Sequence, residues 1–195
     1  MKSDARVKYT RMVIRKNFLD LLKEKPISKI TVKEICERSE INRATFYKHY
    51  QDPFDLFKKL EDELLGQHRK MLSEKSYMDI TTLYIDMLNV LKENREQYQI
   101  LASSHGDHNL YNRIFEDCYQ QVFPLIGRKF SNLDNVKQNL LYYYISQGCS
   151  GAVSYWFTSG MKESPEEIAE FISRATFSVV KAFAEDFPLP LPPKV

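Results

Sequence analysis

The stretch Asn42–Tyr50 gathers the side chains best suited to specific chemistry: Arg43, Thr45, Tyr47, Lys48 and His49, with the small Ala44 among them. An arginine presents a planar fork of donors that matches the O6 and N7 edge of guanine, and a threonine offers a hydroxyl and a methyl to a base edge. Tyrosine, lysine and histidine suit phosphate oxygens, contacts that fix register without reading sequence. Phe46 and Tyr50 lie four residues apart and belong on the opposite, core-facing side of a helix. That orientation turns Arg43, Ala44, Thr45, Tyr47 and Lys48 outward. Thr31 and Lys33, at the start of a preceding helix, are placed to hold another phosphate through side chain and helix N-terminus. The chemistry is recognition of double-stranded DNA.

The elements that must position these residues are legible from caps and periodicity. Val7, Ile14, Phe18, Leu21 and Leu22 share one face of a first helix, which Pro26 ends. Thr31-Val-Lys-Glu34 is a capping-box pattern and opens a short helix that ends near Ser39. Asn42 is a good N-cap for a second short helix to about His49. Asp52-Pro53 opens a fourth helix running to about Leu72. Further helices are expected from about Met78 to Lys92, from Arg95 to Ser103, after His105-Gly106-Asp107 to about Lys129 with a bend at Pro124, from Leu133 to Ser159, and from Ser164-Pro165-Glu166-Glu167 to near Asp186. The fold class is therefore all-α: an N-terminal three-helix helix-turn-helix domain over residues 1–52, a helical ligand-binding and dimerisation domain over 53–187, and a proline-rich tail over 188–195.

Charge is nearly balanced over the 195 residues but unevenly placed. Met1–Leu60 holds 15 Lys and Arg against 8 Asp and Glu, while the remainder holds 13 against 18. A basic first third joined to an acidic remainder suggests that only the first part meets a polyanion. No run of eighteen apolar residues and no secretion-type leader is present, so a cytoplasmic protein without a membrane partner is expected. Cys36, Cys118 and Cys149 are too few and too scattered for a disulfide framework or zinc site, and read as buried thiols. His105 and His108 flank Asp107 without enough further ligands for a metal, so no metal and no cofactor is expected. No nucleophile elbow, phosphate-cradling glycine loop or zinc-protease motif supports an enzyme.

The run Ile30-Thr-Val-Lys-Glu-Ile-Cys-Glu-Arg-Ser-Glu-Ile-Asn-Arg-Ala-Thr-Phe-Tyr-Lys-His-Tyr50 resembles the DNA-binding signature of the TetR family of transcription regulators. The resemblance extends from Thr10 to about Leu60. It implies a dimeric, all-helical regulator that represses transcription until a small molecule binds its C-terminal domain. Carried over residue by residue, the family's DNA contacts fall on Thr31, Lys33, Arg43, Ala44, Thr45, Tyr47, Lys48 and His49. One departure stands out: where many members carry a phosphate-touching lysine at the start of the fourth helix, this chain has Pro53 beside Asp52.

The later run Gly148-Cys-Ser-Gly-Ala-Val-Ser-Tyr-Trp-Phe-Thr-Ser-Gly-Met-Lys-Glu-Ser-Pro-Glu-Glu-Ile168 looks like the last two helices of a broad TetR subgroup, which pair with their copies as a four-helix interface. Gly148, Gly151 and Ala152 offer a close-approach face. Tyr155, Ile172, Ala175, Val179 and Phe183 extend it as apolar stripes, unless those stripes merely close the chain's own core. An effector cavity would draw on Tyr84, Tyr98, Tyr111, Phe115, Tyr119, Tyr143 and Trp156, residues that plain core packing would also explain. The expected function is a ligand-responsive repressor acting as a homodimer on a pseudo-palindromic operator. The alternative is a coactivator whose C-terminal domain binds a partner protein instead of a small molecule. Effector, operator, regulated genes and the direction of regulation are not encoded in these patterns.

Overall fold

The structure, a computed structural model, describes residues 2–75, 79–107, 109–117 and 133–184. All regular structure among the described residues is helical. The order is α1 (Lys2–Glu24), a 3-10 turn (Ile27–Lys29), α2 (Val32–Arg38), α3 (Arg43–Tyr47), α4 (Pro53–Glu74), α5 (Ile80–Glu93), α6 (Arg95–Leu101), α7 (residues 110–117), α8 (Asn135–Thr158) and α9 (Pro165–Ala184). No helix among the described residues is long and apolar enough to cross a membrane. The expected bend at Pro124, the thiol of Cys118 and the proline-rich tail lie outside the described residues.

Two compact units emerge, one from Met1–Lys70 with Leu91–Tyr111, the other from Met71–Val90 with Asn112–Val195. In the first, α1 packs on α2 and α6, and α2 on α3. Its core is built from Ile14, Phe18, Leu21 and Leu22 of α1 against Ile35, Phe46 and Tyr50, all nearly inaccessible. Val7, expected on that inner face, is 40% exposed: α1 begins well before the body it packs on, so its first turns have nothing to cover. The loop after α6 returns to the end of α1. His105 Nδ1 lies 3.0 Å from the Leu22 carbonyl oxygen, and the Ile27 amide donates to the His105 carbonyl at 3.1 Å.

The second unit is built on α8 and α9, which pack along each other. Leu141, Ile145, Val153, Trp156 and Phe157 of α8 are buried with Ala169, Ile172 and Val180 of α9. The Trp156 indole donates to the Glu163 carbonyl at 3.1 Å, and the Tyr84 hydroxyl meets the Cys149 thiol at 3.6 Å. Gly160, at φ 100°, occupies the left-handed position that ends α8, where the Met161 amide returns to the Trp156 carbonyl at 2.9 Å. Ser164 and Glu167 then cap α9 reciprocally, each bonding the other's backbone amide at 3.2 and 2.8 Å.

Candidate nucleic-acid interface

The supporting helix α2 starts where its cap demands. The Thr31 hydroxyl accepts from the Glu34 amide at 3.3 Å, and the Glu34 carboxylate accepts from the Thr31 amide at 3.0 Å. Lys25 also pairs with Glu34. These bonds, the Lys25 contact foremost, hold the Glu34 carboxyl down at about 2. The far end of α2 closes with a Schellman arrangement: Ile41 donates to the Cys36 carbonyl at 3.0 Å and Glu40 to the Glu37 carbonyl at 3.3 Å. Glu40 takes the left-handed position at φ 52°.

That turn delivers Asn42 as N-cap of α3, where its Oδ1 accepts from the Thr45 amide at 2.8 Å and from the Thr45 hydroxyl at 2.9 Å. The hydroxyl proton of Thr45 is thus engaged within the chain. Phe46 and Tyr50 are buried at 0% and 2% exposure and anchor α3 from behind. Arg43, Ala44, Tyr47 and Lys48 are exposed, while Thr45 and His49 are half-buried. On α2, Thr31 and Lys33 are exposed, and Lys33 reaches Glu37 at 3.7 Å. Burial, then the cations of Arg11, Lys48 and Lys59, lowers the pKa of His49.

The start of α4 is acid-capped. Asp52 Oδ1 accepts from the Asp55 amide at 2.8 Å, and Asp55 accepts from the Gln51 amide at 2.9 Å. Lys59 is tied to Asp55 at 2.8 Å and to the His49 carbonyl at 3.1 Å, with its ammonium 5.3 Å from the Tyr50 ring centroid. Lys59 therefore braces the end of α3, whereas Lys58 is exposed.

The residues expected around an effector are dispersed. Tyr98 and Tyr111 belong to the first unit, stacked at 6.3 Å, with the Tyr98 hydroxyl 2.8 Å from Nε2 of the buried His68. Burial raises the Tyr111 pKa. Tyr84, Phe115 and Trp156 belong to the second unit and are at most 3% exposed. Tyr143 is 61% exposed on the outer side of α8, where it lines an open groove rather than an enclosed cavity. Tyr119 lies outside the described residues. Among the described residues no three His, Cys, Asp or Glu side chains cluster as a metal site.

The outer face of α8 and α9 is apolar and open. Val136, Leu140, Tyr144 and Tyr155 are exposed on α8, and Phe171 and Phe183 on α9. Gly148, Gly151 and Ala175 are exposed with them, and Ala152 and Val179 are half-buried. Ile172 is nearly buried at the floor of the groove these helices flank, and Phe171 beside it is exposed. The helices flank a groove of about 720 Å³ that includes Tyr144, Gly148, Ala152 and Phe171. Sequence reasoning missed Val136, Leu140, Tyr144 and Phe171. The four-residue spacing of 136, 140, 144 and 148 could have revealed the first three.

A family model described as the C-terminal region of transcriptional regulators of the TetR type matches residues 79–178. The chain is also 26% identical over 166 residues to the HTH-type transcriptional regulator YxbF of Bacillus subtilis. That match covers 80% of this chain but only 42% of the longer relative. Among solved structures, a TetR transcriptional regulator from Streptococcus agalactiae superposes at TM-score 0.68 with 19% identity, covering 90% of this chain and 98% of that one. The dihydroxyacetone kinase operon activator DhaS superposes at 0.62, also with 19% identity, covering 89% and 97%. At such identity the two structures speak for the fold alone.

Proposed function

The chain belongs to the TetR family of transcriptional regulators, and from that premise we propose that it acts as a homodimer reading a pseudo-palindromic operator through α3. The observation that carries this reading is the outward edge of α3. Arg43, Ala44, Tyr47 and Lys48 face solvent while Phe46 and Tyr50 are locked into the core. No ion pair holds Arg43 or Lys48 among the described residues, so both cations are available to a polyanion. In this reading Arg43, Ala44 and Thr45 meet base edges. Tyr47, Lys48 and His49 meet phosphates of the same strand region, and Thr31 and Lys33 hold a neighbouring phosphate. Residues 1–52 serve DNA, residues 53–187 serve dimerisation and effector binding, and 188–195 form a tail.

Two-fold symmetry supplies the second recognition helix. The exposed face of α8 and α9 supports that pairing, because Gly148 and Gly151 have no atom within 4 Å of a would-be Cβ. The chain's own packing does not call for glycine there, whereas close approach of a second copy does. Repression relieved by a small molecule follows the resemblance, with an effector acting through its differential affinity for two conformations.

Selection of bound duplexes from random DNA tests the reading, run alongside a solution mass by light scattering. The expected outcome is one pseudo-palindromic consensus with half-sites about 34 Å apart and a mass of two protomers. Failure to enrich any sequence would overturn it. A screen of metabolites and of copurifying proteins for release from that duplex then separates an effector from a protein partner.

A further inference from the structure

The first turns of α1 bury nothing. From Ala5 to Met12 every side chain is exposed except the half-buried Thr10, and the first fully buried residue is Ile14. A helix is held in a small domain chiefly by the face it buries. Turns that bury so little contribute little to the fold, and apart from the Arg11–Glu63 pair at 3.9 Å they leave their side chains open to contacts outside it.

These turns do not stand apart from α3. Arg6 and Thr10 form one wall of an open groove of about 740 Å³ whose other wall includes Thr45, Lys48 and His49. Arg6 is exposed and makes no ion pair or side-chain hydrogen bond among the described residues. Lys48 is likewise exposed, with no ion pair among the described residues. Arg11, one turn further along, and Lys59 add positive potential around His49. Glu40 is the acidic member of the lining, at the turn end of the groove. A concave site with a free guanidinium, a free ammonium and an imidazole complements a phosphodiester of duplex DNA.

We propose that α1 is a second DNA-contacting element, in which Arg6 joins Lys48 and His49 to clamp a backbone phosphate in the groove between α1 and α3. This rests on the DNA-binding reading above and adds a contact that none of the residues assigned there supplies. The clamp carries no sequence information. It adds affinity on any duplex and fixes how deeply α3 sits.

The test compares the wild-type protein with Arg6→Gln and Lys8→Gln on the selected duplex and on a scrambled one, from about 50 to about 200 mM salt. Lys8 is another exposed cation of α1, and it does not line this groove. Arg6→Gln is expected to make the slope of log K against log salt shallower by about one per protomer and to weaken both duplexes by a similar factor. Base preference should be unchanged. Ethylation of one phosphate per half-site should hinder the wild-type protein and no longer hinder Arg6→Gln, while Lys8→Gln keeps the wild-type pattern. If Arg6→Gln binds as the wild type does, or Lys8→Gln reproduces all its effects, the clamp is overturned while the DNA reading stands. Absence of any wild-type binding would overturn both. Thermal unfolding of each variant checks that the exposed substitutions leave the fold intact.

Discussion

Arg43 opens α3 exposed, whereas Lys48, at the other end of the same helix, is exposed beside the groove between α1 and α3. The two positions predict different losses. Arg43→Ala should weaken binding to the selected operator by about 1–3 kcal/mol and relax preference at one base, measured by polarisation on single-base variants of the duplex. Equal losses on operator and random DNA would move Arg43 to the phosphate class. Glu34 makes a second prediction, now on stability. Its folded pKa of about 2 lies below the ordinary 4.5, so its contribution is present in full above the unfolded value and is lost as pH falls through the folded one. The stability gap between wild type and Glu34→Gln, read by urea unfolding, should be constant near neutrality and close between about pH 4.5 and about pH 2. A gap that widens on acidification would contradict the capping-box assignment. Residues of this kind were legible from sequence because their partners are local: Thr31 with Glu34, Asn42 with Thr45, Ser164 with Glu167. Arg6 was not legible, since its groove forms between α1 and a helix more than thirty residues away.

Among the elements, the loop joining α6 to α7 ties α6 to the helix-turn-helix through His105, and Gly106 is what lets it turn. The loop is closed by the Asp107 amide donating to the Leu101 carbonyl at 2.8 Å. A Cβ on Gly106 would sit 2.1 Å from that same carbonyl oxygen, so the backbone itself would have to move. Gly66, in contrast, lies exposed inside α4 with nothing within 4 Å of a would-be Cβ. Gly66→Ala should therefore stabilise by about 0.5–1 kcal/mol, and Gly106→Ala should destabilise by about 1–3 kcal/mol, both from urea midpoints. Equal and favourable effects would mean that the loop relaxes freely. Helix boundaries could be anticipated because caps and prolines act within a turn of the chain. The inward face of α8 could not, because apolar residues occupy both its sides. Tyr143 and Tyr144 face out while Leu141 and Ile145 face in, and hydrophobicity alone does not rank them. On α9 the same ambiguity holds for Phe171, exposed, and Ile172, nearly buried beside it. Val7 was misplaced for a different reason: periodicity sets a helix's face but not where the body behind it ends.

For the whole molecule, the apolar exterior of α8 and α9 is the feature that a lone chain leaves unexplained. Tyr144 and Tyr155 are 68% and 76% exposed, Phe171 is 65% exposed, and all three sit beside glycines that crowd nothing. An exposed apolar face of this extent costs solubility unless something covers it. A second copy, as proposed above, would supply an identical face through a two-fold axis and simultaneously double α3. Gly151 turns this into a signed prediction. In an isolated chain, Gly151→Ala replaces a helix-interior glycine facing open space, which should add about 0.5–1 kcal/mol. In a dimer closed by glycine-mediated approach, the added methyl overpacks the interface and lowers affinity. The wild type should show a melting temperature that rises with protein concentration, as linkage between folding and assembly requires. Gly151→Ala should flatten that dependence, and the bulkier Gly151→Leu should give a one-protomer mass with helicity retained. DNA binding should fall with the dimer, because a single α3 reaches only one half-site. A Gly151→Leu protein that keeps a two-protomer mass and full operator affinity would place the pairing surface elsewhere and leave this apolar face to another partner.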